Sequence, residues 1–119
     1  MSDVKIPTVS NLFQLPADAR PGAPEYITTL LSRKGLQLKK LVSHGQTTPD
    51  NEWYEQDDDE WVVLLSGQAR LAFENGSELA LQAGDYLLIP ARLKHRVSFT
   101  SVKPPCIWLA LHTDIQVTS

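Results

Sequence analysis

The sequence predicts an all-β domain, a sandwich or barrel of short strands, with an arm and one short helix in front of it. Three observations carry this. From Leu36 onward, roughly seven to nine short apolar or alternating runs follow one another with turn residues between them, the pattern of a sandwich or barrel. Asn75-Gly76 stands between two alternating runs and is the strongest hairpin signal in the chain. Only one segment, residues 24–34, has a helical rather than a strand-like period.

Residues 1–23 are rich in Pro, Asp and Ser, with isolated Ile6, Val9, Leu12, Phe13 and Leu15, and read as an extended arm that packs across the domain. Pro24-Glu25 opens the predicted helix, because Pro is tolerated in a first turn and Glu complements the N-terminal dipole. Ile27, Leu30 and Leu31 give it one apolar stripe, and Gly35 suits its end. Residues 1–35 therefore form an arm and helix, and 36–119 the barrel. LQLKKLV is a strand, and HGQTTPDNE a loop. WVVLLS is a continuous apolar run, expected for a strand covered on both faces. QARLAFE alternates, with Ala69, Leu71 and Phe73 on one face. After the Asn-Gly turn, expected to be type I′, SELALQ returns. YLLIP, HRVSFT and CIWLALH are the last strands, and His95, Val97 and Phe99 are expected on one face.

The bulk numbers exclude several classes. The chain has 119 residues, 42% hydrophobic and 21% charged, the balance of an ordinary folded domain. Net charge is −3 and the basic residues are scattered, so no nucleic-acid surface is expected. No apolar run approaches the roughly 18 residues of a membrane span. MSDVKIPTVSNLF has no basic segment followed by an apolar one, so no signal peptide is expected, and a cytoplasmic location follows by default. Cys106 is the single cysteine and sits in an apolar run, so it reads as a small buried hydrophobe rather than a nucleophile.

Two spaced constellations carry the chemistry. Glu60 is followed by WVVLLS and then Gly67. Gly84 is followed by DYLLI and then Pro90, with His95 five residues on. Glu60 shares its alternation with Val62 and Leu64 and is expected to point inward, whereas Asp57, Asp58 and Asp59 are expected to stay in a wet loop. The arrangement resembles the cupin superfamily over residues 36–112. That family's first motif has the form G-x5-H-x-H-x3-4-E-x6-G, and its second G-x5-P-x-G-x2-H-x3-N. The resemblance implies a double-stranded β-helix, or jelly-roll, barrel. It also implies a small-molecule ligand and a divalent metal (Fe, Mn, Ni or Zn) inside the barrel, and a homodimer. Glu60 and His95 match two of the four family ligands. Counted back with three intervening residues, the two motif histidines are replaced by Tyr54 and Gln56; counted with four, by Trp53 and Glu55. Arg92 stands at the second-motif Gly, and Phe99 at the terminal Asn.

On this reading Glu60, His95 and Gln56 are candidate metal ligands, in an oxygen-rich and therefore weaker set than a His-rich one. Tyr54 is the candidate catalytic acid, and Arg92, Trp53 and Phe99 are candidate ligand-binding residues. His44 is expected in an exposed loop. His112 closes the last strand and is within reach of the barrel mouth, but nothing in the sequence fixes it there. The functions implied are a metal-dependent oxygenase or isomerase, a metal-free cupin that binds a ligand without chemistry, or a regulatory module. Fold alone does not choose among them.

Overall fold

The computed structural model describes residues 5–114. Eight strands form it: β1 (Tyr26–Arg33), β2 (Leu36–Ser43), β3 (Asp59–Ser66), β4 (Gln68–Phe73), β5 (Glu78–Gln82), β6 (Tyr86–Ile89), β7 (His95–Thr100) and β8 (Cys106–Thr113). They make a five-stranded sheet in the order β1-β2-β8-β3-β6 and a three-stranded sheet in the order β5-β4-β7. The pairings are antiparallel. The two inner faces enclose a core of Val62, Leu64, Ala69, Leu71, Leu81, Ile89, Cys106, Trp108 and Ala110. This is the expected all-β jelly roll, with the cysteine buried as expected.

The predicted helix is not there. Residues 26–33 form β1, which pairs with β2 from Tyr26 opposite Val42 to Arg33 opposite Leu36. Ile27, Leu30 and Leu31, the supposed apolar stripe, remain exposed on this edge strand. Local chemistry was evenly poised. Ile27, Thr28 and Thr29 are β-branched and favour a strand, and Gly35, at φ 75°, serves a tight hairpin as well as a helix end. The unpaired edge of β2 tips the balance, because its backbone groups need partners that a helix cannot give. The arm lies on the sheet only in part: Lys40 Nζ donates to the Gln14 carbonyl at 2.9 Å and Ala19 is buried, while Ile6, Val9 and Phe13 stay exposed.

Two irregularities re-aim side chains. Asn75-Gly76 does mark a hairpin, but not a type I′ turn, which needs positive φ at both central residues. Only Gly76 has it, at 90°. The Gly76 amide donates to Phe73 O at 3.0 Å and the Phe73 amide to Ser77 O at 2.9 Å, so three residues, Glu74 to Gly76, form the loop. On the other side of β4, Leu71 pairs with Val97 and Arg70 with Phe99, leaving Ser98 as a bulge. One extra residue turns the remainder of the strand over to the other face. Phe99 therefore leaves the face of His95 and Val97 and stacks outside, 5.6 Å from the Arg70 guanidinium.

β3 is covered unequally. Val62 and Leu64 are buried inward, whereas Trp61, Val63 and Leu65 are only half-buried on the outer face. β6 continues that outer face with Tyr86 and Leu88, both exposed, and the Tyr86 ring lies 5.5 Å from that of Trp61.

Candidate functional site

Strand register builds the site. Glu60, Val62 and Leu64 alternate inward along β3, and Glu60 stands directly opposite His112 of β8 and Ile89 of β6. His95 opens β7 from the facing sheet. A short bridge then fixes the loop before β3: the Tyr54 amide donates to His95 O at 2.8 Å, and the His95 amide to Tyr54 O at 3.1 Å. Residues paired this way share a face. Tyr54 and Gln56 therefore look inward, and Trp53 and Glu55 look out. Of the two spacings the sequence left open, the one with three intervening residues is the one that forms. The Arg92 amide, donating to Gln56 O at 2.7 Å, pins the loop from its other side.

These side chains line a cavity of about 430 Å³ between the sheets. Its apolar walls include Val62, Leu71, Ile89 and Trp108, and its polar end holds Tyr54, Gln56, Glu60, His95 and His112. Glu25 and Lys39 line it as well. An apolar pocket of this size with a few convergent polar groups is the usual form of a small-molecule site. The structure places Tyr54, Gln56, Glu60 and His95, all named from the sequence, on this one cavity. Trp53, Arg92 and Phe99 do not line this cavity. Trp53 lies under the Arg96 guanidinium at 5.5 Å, Phe99 is turned out by the Ser98 bulge, and Arg92 is exposed on a loop.

Glu25 and Lys39 carry no signal in the sequence for this place, whereas His112 is within reach of the barrel mouth on the sequence alone and is fixed there by the structure. The signal for His112 was strand pairing, which no local motif announces. Glu25 was assigned to a helix start, yet its carboxylate accepts from Ser43 Oγ at 2.6 Å at the cavity wall. The acidic run was also misplaced in part: Asp59 belongs to β3 and accepts the Ala91 amide at 2.8 Å, and Asp58 turns toward His112. His44 is half-buried rather than exposed.

The electrostatics centre on Glu60. Its Oε1 is 3.7 Å from His95 Nε2, and its Oε2 is 3.9 Å from His112 Nε2. Both contacts are longer than a hydrogen bond, and each is an ion pair only where the imidazole is protonated. Burial pushes the Glu60 carboxyl up, but His95, His112 and Gln56 outweigh it and hold the group below its usual range. Burial likewise pulls His95 down, but Glu60 and the Leu93 carbonyl hold it above its ordinary value. Glu25 is shifted upward, first by burial and further by Glu60, against the Ser43 hydrogen bond.

The donor set fits a divalent cation in kind. Glu60 Oε1 is buried and has no hydrogen-bond partner, an unmet need that a cation would satisfy. His95 contacts the Leu93 carbonyl at 2.9 Å through Nδ1, which leaves Nε2 facing the cavity. No three His, Cys, Asp or Glu groups among the described residues are already drawn together at metal-binding distances.

A family model for the cupin domain matches residues 41–112. Among solved structures, a protein from Ralstonia eutropha JMP134, provisionally assigned as a mannose-6-phosphate isomerase, is 41% identical. It superposes with a TM-score of 0.80, covering 91% of this chain and 99% of that one. A cupin superfamily protein from Desulfitobacterium hafniense DCB-2 is 18% identical, with a TM-score of 0.68 over 92% of this chain and 98% of that one. The DMSP lyase DddQ from Ruegeria pomeroyi DSS-3 is also 18% identical, with a TM-score of 0.66 over 89% of this chain and 54% of that one. The last two likenesses concern the fold. No curated protein matches the chain in sequence.

Proposed function

The chain belongs to the cupin domain family, and on that basis we propose that its barrel binds a small polar molecule and catalyses proton transfer on it, as in isomerase chemistry. One observation carries this reading: a largely buried carboxylate, Glu60, held below its usual titration range, sits between two imidazoles in a cavity whose walls are part apolar and part polar. Buried charge costs free energy, and sites that keep it in a cleft are enriched in function. The provisional isomerase assignment of the 41% identical Ralstonia protein supports the reaction class.

Glu60 and His95, with the Gln56 amide oxygen, are the residues that would hold a divalent metal. Bound there, such an ion would supply a Lewis acid that polarises a carbonyl or hydroxyl oxygen of the ligand. The chain's own groups do the rest. Val62, Leu71, Ile89 and Trp108 offer an apolar wall to the ligand's carbon skeleton. Tyr54, whose ring centre is 6.0 Å from that of His95, is the proposed proton donor. Glu25, lifted toward neutrality by burial, is the group best tuned to take up a proton. A homodimer through the outer face at Trp61, Tyr86 and Leu88 is the proposed assembly, since Tyr86 and Leu88 are otherwise exposed apolar side chains. Light scattering of wild type against Leu88→Asp tests it, with loss of the dimer mass expected.

The reaction is tested in D₂O. Small hydroxy-carbonyl compounds are incubated with the protein and Mn²⁺ or Zn²⁺, and carbon-bound deuterium is followed by NMR after the metal is chelated. Exchange that is lost in Glu25→Gln and reduced in Tyr54→Phe is expected. Saturable binding without exchange would replace the catalytic reading with a ligand-binding module, and absence of both would overturn it.

A further inference from the structure

Two residues outside the family's ligand pattern bear on the polar end of the cavity: His112 lines it, and Asp58 contacts His112 from outside it. His112 stands opposite Glu60 in the β3–β8 ladder, so backbone pairing alone holds it there. Its two ring nitrogens face different carboxylates. Nε2 is 3.9 Å from Glu60 Oε2, and Nδ1 is 3.5 Å from Asp58 Oδ1. His95 has the same division of labour, with Nδ1 at the Leu93 carbonyl and Nε2 toward Glu60 Oε1. Histidines that bind a metal almost always give the other ring N–H to a carboxylate or a backbone carbonyl, which fixes the tautomer and turns a lone pair to the ion. Here both imidazoles are oriented in that way around one carboxylate.

The spacing suits the same role. Two ligands of a tetrahedral ion, each about 2.1 Å from it, stand roughly 3.4 Å apart. The nitrogen–oxygen separations of 3.7 and 3.9 Å are too long for hydrogen bonds and a few tenths of an ångström wider than that, each to a different Glu60 oxygen. No such trio is assembled among the described residues, so an ion would have to draw the two imidazoles inward. Glu60 Oε1, buried with no hydrogen-bond partner, is the atom such an ion would satisfy.

We propose that His112, oriented by Asp58, is the third protein ligand of a divalent-metal site with Glu60 and His95, supplying from the last strand the nitrogen that Tyr54 and Gln56 do not. This rests on the metal-binding part of the proposed function. It makes the ligand set two imidazoles and a carboxylate, which suits a transition metal better than the oxygen-rich set legible in the sequence. Asp58 is a positioning residue: it touches His112 and not the ion.

The test is a Co²⁺ titration of chelator-stripped protein, read by d–d absorption, with Zn²⁺ competition for affinity. Wild type, Glu60→Gln, His95→Ala, His112→Ala and Asp58→Asn are compared, each checked by thermal melting. One Co²⁺ per chain is expected. His112→Ala should weaken it by more than tenfold and change the absorption spectrum. Asp58→Asn should weaken it roughly ten- to a hundredfold while keeping the spectrum. Should His112→Ala not fold, ¹⁵N NMR of the wild-type histidine rings decides, because Zn²⁺ must shift Nε2 of both His95 and His112. If His112→Ala binds like wild type while Glu60→Gln and His95→Ala do not, the metal reading stands and the role of His112 falls. If stripped wild type binds neither ion, both fall.

Discussion

His95 and Glu60 come from opposite sheets and meet with Nε2 and Oε1 3.7 Å apart, both largely shielded from solvent. This pair joins the two half-motifs of the sequence into one site. Its charges depend on each other, so its contribution to folding depends on pH. The folded Glu60 titrates below its ordinary 4.5, so its stabilisation is complete above pH 4.5 and is lost as pH falls through that lower value. The folded His95 titrates above 6.5, so its stabilisation is complete below pH 6.5 and is lost as pH rises through that higher value. Urea unfolding of wild type and His95→Gln, with a chelator present, should give a stability gap that is widest between pH 4.5 and 6.5. A gap that does not vary with pH would show that the pair is not ionised as described.

Gly67 ends the first constellation for a steric reason. Its φ is 88°, and an added Cβ would lie 2.8 Å from Pro105 O, 2.8 Å from Ser101 Oγ and 2.9 Å from Cys106 Sγ. Gly67→Ala combines backbone strain with overpacking and should cost on the order of 3 kcal/mol. Gly76→Ala is the control, because Gly76 has φ 90° but open space around it. It should cost only about 1 kcal/mol. Chemical denaturation of both variants checks the difference, and equal losses would rule out the steric account.

Arg92 explains a departure from the family pattern. It holds the second-motif Gly position, and its φ is 66°, the left-handed region that glycine adopts without strain. Its side chain is exposed, and its hydrogen bond to Gln56 O uses the backbone amide. Arg92→Gly should therefore stabilise the fold by up to about 1 kcal/mol and leave metal affinity unchanged. A drop in melting temperature would mean that the Arg92 side chain matters more than its backbone.

Legibility differed by element for physical reasons. β3, β4 and β7 could be read because alternation and apolar runs are local. β1 could not, because Ile27, Leu30 and Leu31 have helical spacing and only the open edge of β2 favours a strand. Phe99 misled because a single bulge residue, Ser98, reverses the face of everything after it. Tyr54 and Gln56 were left unplaced against Trp53 and Glu55 until the bridge to His95 fixed which pair looks in.

The sequence by itself determined the all-β class, through strand periodicity and through turns set by the freedom of Gly and the fixed φ of Pro. The jelly roll and the meeting of Glu60 with His95 are what the motif resemblance implied. Only the tertiary structure decided that Tyr54 and Gln56 line the cavity, that Trp53 and Phe99 do not, that His112 and Glu25 line it too, and that Asp58 contacts His112. Those residues are placed by pairing between strands distant in sequence. A ladder that sets Glu60 opposite His112 depends on register, and register is fixed by the whole sheet rather than by any local run of residues.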